Sequence, residues 1–317
     1  NLRRARLDVP EPDLSRIVAV PGDMGRPRLG LSGYDFDRLS EQADLILHNG
    51  AVMNFVLTYR WLMPPHVGST VEVLRLACRR RATPLHLMST LGVYLGAAYH
   101  RQLITEGDRF DDPTGLDTGY HTTKWVADRL AVNSRERGLP ISVHRIAAIV
   151  GDTTTGTAKV DSYLSRQVAS CVNVGAVPIT ADVIDMVPVD RLAAAIVALS
   201  AQPAGPDRHY YRADGLSYAD LGTVLNEAGY PVDVLPYQRW RELILESTDT
   251  AFAPLAYGLP APGRGRYHPR FDCSATWAAA AAAGVHFPPA DAIMMRRHID
   301  YLTEAGALGR PRQRTVT

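Results

Sequence analysis

Lysine is nearly missing from this chain: it occurs twice, at Lys124 and Lys159, and arginine carries almost all the positive charge. The formal net charge is +1, and the arginines are scattered, which gives no electrostatic reason to expect a nucleic acid or an anionic membrane as partner. The triplet Arg79, Arg80 and Arg81 falls where a helix should end, a place where cations favour the helix dipole. Cysteine is scarce too. Cys78, Cys171 and Cys273 share no metal-ligand spacing and read as small buried hydrophobes in a reducing compartment. The ten histidines contain no His-x-x-x-His pair, and no Cys-x-x-Cys accompanies them, so no metal is expected. No apolar run approaches the roughly 20 residues of a membrane span, and no signal peptide precedes the first apolar segment. The expectation is a cytoplasmic protein. The chain opens Asn1-Leu2-Arg3-Arg4 rather than with methionine and reads as an excised piece of something longer or as a chain whose beginning is not seen.

What is present suffices for a large core: 317 residues, 46% of them hydrophobic. Arg16 to Val20, Asp44 to His48, Leu85 to Met88, Pro140 to Ile146 and His209 to Tyr211 are short apolar runs that predict strands. Helical spacing lies between them, near Tyr34 to Glu41, along Val67, Val71, Leu74 and Ala77, from Tyr120 onward, and over Arg191 to Leu199. This alternation predicts a doubly wound parallel sheet of the α/β class. After Gly151 come a Thr-rich loop and a helix near Ser162 to Asn173. Further helices near Tyr218 to Ala228, Arg239 to Glu246, Ala275 to Ala283 and Ala290 to Glu304 predict a smaller, mostly helical domain. The expected division is 1–153 plus about 184–213 for the sheet domain, 154–183 plus about 214–309 for the helical one, and a frayed tail over 310–317.

The chemistry centres on Tyr120-His121-Thr122-Thr123-Lys124. Tyrosine and lysine four residues apart share one face of a helix, one turn apart, so the ammonium can sit beside the phenol and favour phenolate. With two lysines and 14 tyrosines, such a pair arises by chance in about one chain in ten. Ser89 and Thr90 place hydroxyls where the Leu85 strand ends, and Asn49-Gly50-Ala51 follows another strand end, where open parallel sheets bind ligands.

With Thr90, Tyr120 and Lys124 on a parallel-sheet pattern, the chain resembles the extended short-chain dehydrogenase/reductase superfamily. The stretches His48 to Val56, Ser89 to Tyr94 and Gly119 to Trp125 narrow the resemblance. They resemble the terminal thioester reductase domains of nonribosomal peptide and polyketide synthetases, relatives of which occur in carboxylic acid reductases. Gly151-Asp152, Asp185 to Asp190, Gly229-Tyr230-Pro231 and Pro236 to Trp240 extend the likeness along the chain. Two departures stand out. The glycine-rich pyrophosphate turn, with the first βαβ portion of the Rossmann-like sheet, has no counterpart, as if the chain began inside the helix before the family's third strand. His66-Val67 stands where the superfamily has Asn-Val.

The resemblance implies NADPH-dependent reduction of a thioester on the phosphopantetheine arm of an acyl or peptidyl carrier protein. Release would be as aldehyde, possible onward reduction would give a primary alcohol, and Thr90, Tyr120 and Lys124 would be catalytic. It implies cofactor contacts from Asp23, Met24, Asn49, Gly50, Ala51, Met53, His66, Lys124, Ile146 and Ala147, with adjacent synthetase domains as partners of a monomeric unit. Plainer roles stay open at several positions: a turn aspartate at Asp23, a turn cap at Thr90, packing at Ile146 and Ala147, and a non-catalytic histidine at His66. Other functions also stay open, namely an NAD-dependent nucleotide-sugar epimerase or dehydratase, a non-redox domain releasing its substrate by carbon–carbon condensation, and a degenerate domain that docks a carrier protein.

Overall fold

The computed structural model describes residues 11–100, 102–202, 204–247, 259 and 269–311. Four parallel strands, Ile46–His48, Leu85–Thr90, Ile141–Ile146 and Arg208–Tyr210, lie side by side in that order. Three crossover segments join them: a helical run from Tyr59 to Cys78, the helix Gly119–Glu136 and the helix Val189–Ser200. The two sheet faces are covered by different helices. Val73, Ala77, Leu85, Leu87, Ala131, Ile141 and Val143 form the core on one face; Leu192, Ala195, Tyr210 and Ala280, with Ile146 packed against them, form the other. This is the doubly wound arrangement that the alternating pattern predicts, since strands buried on both faces must be nearly all apolar.

The register also places charge inside. Ser89 and Arg145 are cross-strand neighbours, and both reach the buried Asp128 on the helix Gly119–Glu136: Ser89 Oγ donates at 2.6 Å, and Arg145 Nε and Nη2 donate at 2.9 and 2.8 Å. A second carboxylate, Asp207, lies 2.9 Å from Arg145 Nη1 and also pairs with Arg135. The Arg145 guanidinium sits 4.4 Å over the Phe110 ring. Breaking a buried ion network strands the remaining charges, so Arg145→Met is expected to cost about 3–5 kcal/mol. The lowered midpoint of urea unfolding would measure it, and an unchanged midpoint would refute it.

A third core gathers the helices Tyr163–Val174, Tyr218–Glu227, Tyr237–Glu246 and Ala292–Glu304 around Leu164, Val168, Leu221, Trp240, Met295 and Leu302. Two-residue and four-residue strand pairs that the sequence pattern did not reveal knit this region, including Ala176–Ile179 parallel to Asp233–Pro236. The helix Ser274–Ala282 packs on the sheet through Ala280 and Trp277.

Two expectations need correction. Arg16 to Val20 forms no strand; Ile17 and Val18 are exposed, and no described strand lies beside the segment to complete a ladder. Cys78 is exposed, because it ends the helix Ser69–Cys78 on its solvent side, whereas Cys171 and Cys273 are buried. The arginine triplet does follow a helix end, with Arg79, Arg80 and Arg81 pairing with Asp37, Glu41 and Asp44. Residues 312–317 of the expected tail lie outside the described residues. Among the described residues no helix is long and apolar enough to cross a membrane.

Candidate active site

The carboxyl ends of the sheet strands gather most of the residues singled out by sequence. Thr90 pairs in register with Ile146, and Ile146 with Tyr210, so these three end their strands side by side. Asn49, Gly50 and Ala51 follow the Ile46–His48 strand, with Asn49 and Ala51 exposed. The Met24 thioether packs over Gly50, where a Cβ would collide with its sulfur, so the Asp23–Met24 turn closes on the Asn49–Ala51 backbone.

Helix Gly119–Glu136 is set against this edge by local chemistry. Thr118 Oγ1 caps it by accepting from His121 N at 3.1 Å. A Cβ on Gly119 would lie 2.5 Å from Leu57 O, so glycine lets the Leu57–Thr58 backbone pass directly over the helix start. One residue on, the Tyr120 ring is enclosed edge-on by Phe55 at 5.0 Å, His121 at 5.5 Å and His66 at 5.7 Å. His121 in turn packs on Gly92, in the turn that Thr90 Oγ1 caps by accepting from Gly92 N at 3.0 Å. A hydroxyl that accepts there keeps its own proton for donation. Ser89, by contrast, is turned away toward Asp128.

Lys124 is buried, and its Nζ donates to Met88 O at 2.9 Å, two residues before Thr90. Burial lowers its pKa to about 8, against a raising contribution from Asp128. Tyr120 moves the other way. Desolvation pushes its phenol up to about 12, where the sequence spacing led us to expect a lowered value. Loss of water is the cause, and the Lys124 ammonium is held by the Met88 carbonyl instead.

The remaining candidates occupy less exclusive positions. Asp23 Oδ1 accepts from Gly25 N at 2.8 Å and pairs with Arg26, the behaviour of a turn aspartate. Ile146 packs against the Val187–Tyr210 core, and Ala147 N donates to Tyr210 O at 3.0 Å. Met53 is partly buried in the loop that follows Ala51. His66 is buried and bonds on both ring nitrogens within the protein. Sequence reasoning did not single out Phe55, His121, Thr123 or Asp128; the Asp128 position, one turn beyond Lys124, was the one available signal.

A doubly wound parallel sheet with a phenol, an ammonium, a hydroxyl and small-residue backbone at its carboxyl edge belongs to the class of nicotinamide-binding oxidoreductases. Comparison with known proteins narrows this. Residues 2–196 match the NAD-binding family described as Male sterility protein. The isonitrile lipopeptide synthase of Streptomyces coeruleorubidus is 36% identical over 244 residues, covering 76% of this chain and 16% of that protein. Among solved structures, the terminal R domain from the myxalamid PKS-NRPS biosynthetic pathway superposes with a TM-score of 0.88 at 32% identity, covering 98% of this chain and 80% of that one. The reductase (R) domain of a nonribosomal peptide synthetase from Mycobacterium tuberculosis does so with a TM-score of 0.73 at 26% identity, covering 91% and 76%. The chain belongs to this NAD-binding Male sterility family and shares the oxidoreductase fold of these R domains. It spans 5% and 16% of the length of the first curated relatives it matches.

Proposed function

We propose that this chain carries out NADPH-dependent reductive release of an acyl or peptidyl thioester held on the phosphopantetheine arm of a carrier protein, giving an aldehyde. The reading is supported by Lys124 Nζ bonding to Met88 O, two residues before Thr90 at its strand end, by Tyr120 one turn before Lys124 on the same helix, and by the exposed Asn49 and Ala51 at the neighbouring strand end. Residues 1–153 with about 184–213 would hold the cofactor, and 154–183 with about 214–309 the substrate arm. NADPH, when bound, supplies the hydride to the thioester carbonyl carbon. Tyr120, protonated at neutral pH, gives its proton to the carbonyl oxygen, and the Thr90 hydroxyl stabilises charge on that oxygen by donating a second hydrogen bond. Lys124 orients the ribose and supplies a nearby cation. The hemithioacetal then collapses: its hydroxyl proton passes to sulfur, the carbon–sulfur bond breaks, and aldehyde and thiol leave. The same groups can serve a second reduction to a primary alcohol.

A carrier protein and adjacent synthetase domains are the partners this reading implies. The test is incubation with an acyl-pantetheine thioester and NADPH or NADH, following nicotinamide absorbance and identifying products by mass. Oxidation of NADPH in preference to NADH, with aldehyde or alcohol formed, is the expected result. Cofactor binding without oxidation would sink the reading.

A further inference from the structure

Pro64 and Pro65 interrupt a run that is helical from Tyr59 to Cys78. Neither can donate a backbone hydrogen bond, and the helix widens into a π turn over Pro64–Gly68. The carbonyls of that turn are met by side chains: Ser69 Oγ donates to Pro65 O at 2.6 Å and Thr70 Oγ1 to His66 O at 2.8 Å. The turn delivers the buried His66 ring between two parts of the candidate site.

Each ring nitrogen has a partner. His66 Nδ1 lies 2.7 Å from Thr123 Oγ1, on the residue immediately before Lys124. Thr123 Oγ1 also lies 2.7 Å from Gly119 O, so it accepts from Nδ1–H while donating to that carbonyl, or donates to a bare Nδ1; the link to the ring holds in both tautomers. Nε2 lies 3.1 Å from Val52 N and 3.0 Å from Val52 O, in the loop that follows Asn49-Gly50-Ala51, so it meets the same residue in either tautomer, accepting from the N–H or donating to the carbonyl. Burial, with the Lys124 cation nearby, keeps the ring neutral by pulling its pKa down to about 4. Asparagine, which the superfamily places here, presents a donor and an acceptor on one short side chain. The imidazole presents the same pair with a longer span.

We propose that His66 is a positioning residue that ties the loop after Ala51 to the start of helix Gly119–Glu136, so that cofactor-facing backbone and Tyr120–Lys124 keep one fixed relation. Both nitrogens are committed within the protein, which leaves none to relay a proton. The cofactor part of this inference rests on the nicotinamide reading above; the clamp itself does not.

The experiment separates the two. Hydrogen–deuterium exchange is measured on the cofactor-free protein and on His66→Ala, His66→Asn and Thr123→Val. Loss of the clamp should speed exchange in the 49–56 segment about tenfold in His66→Ala and Thr123→Val, the equivalent of one buried hydrogen bond. Exchange across 127–135 should stay unchanged, and His66→Asn should recover most of the protection. NADPH titration on the same proteins should show Kd raised in the same order. Unchanged exchange over 49–56 in a folded His66→Ala overturns the clamp, as does faster exchange throughout the helix. A fall in kcat with exchange and Kd unaltered overturns it in favour of a relay. Should His66→Ala fail to fold, Thr123→Val carries the test. Altered exchange with no NADPH binding by the wild-type protein leaves the clamp standing and refutes the cofactor reading.

Discussion

Replacing Tyr120 by phenylalanine is expected to lower kcat for thioester reduction by about 10²- to 10⁴-fold, the usual worth of a positioned acid, with NADPH affinity within about twofold of wild type. The substitution is close to isosteric. The ring keeps its edge-on contacts with Phe55, His121 and His66, and only the hydroxyl is lost. Because burial holds the phenol up at about 12, it is an acid throughout the neutral range, which suits it to protonating the oxygen that gains charge during reduction. Lys124 adds a pH signature. With its pKa lowered to about 8, it is charged below that pH and neutral above it, so kcat/KM should fall as pH rises through about 8. Tyr120→Phe retaining more than about a tenth of wild-type kcat would remove the phenol from the mechanism.

Acid should destabilise this protein from about pH 6.5 downward, where its buried histidines begin to charge in the unfolded chain. His48, His66, His86, His144, His209 and His298 are all buried, and burial lowers the pKa of each, to about 4 for His48, His66 and His298 and about 3 for His144 and His209. In the unfolded chain each returns to about 6.5 and takes up a proton that the folded state refuses. The stability they permit is therefore fully present above about pH 6.5 and lost as pH falls from there toward 4. At pH 5 each imidazole held near 4 costs about 2 kcal/mol, and a few such groups together rival a typical total stability of about 5–15 kcal/mol. Asp185 opposes the trend. Burial raises its carboxyl to about 7, despite bonds from Ala148 N and Arg212 N at 2.9 Å, so that one group gains stability as pH falls below 7. The net expectation is a urea midpoint far lower at pH 5.0 than at pH 7.5. Equal midpoints would show that these rings are hydrated in solution.

Buried histidines show why part of this molecule was unreadable in one dimension. His86, His144 and Tyr210 belong to three adjacent strands, yet His86 Nδ1 meets His144 Nε2 at 2.9 Å and His144 Nδ1 meets Tyr210 Oη at 3.0 Å. No sequence spacing encodes a contact between residues 58 and 66 positions apart. The same holds for Arg145, scattered among other arginines in the sequence and fully buried against Asp128 in the fold.

The sequence by itself determined the principal sheet strands, the larger helices and their order. Short apolar runs and period-3.6 apolar spacing are local properties of the chain, and they placed the four sheet strands, the crossover helices and the Tyr120–Lys124 turn. It also determined the family, because short motifs around Asn49, Thr90 and Tyr120 recur in a fixed order. Tertiary structure alone decided which runs found partners, leaving Arg16 to Val20 without a ladder, and where each polar group could find compensation. It turned Ser89 inward, held Lys124 on Met88 O, and placed His66 between Val52 and Thr123. Those outcomes depend on desolvation and on hydrogen bonds between residues distant in the chain, which exist only after the sheet and helices have packed.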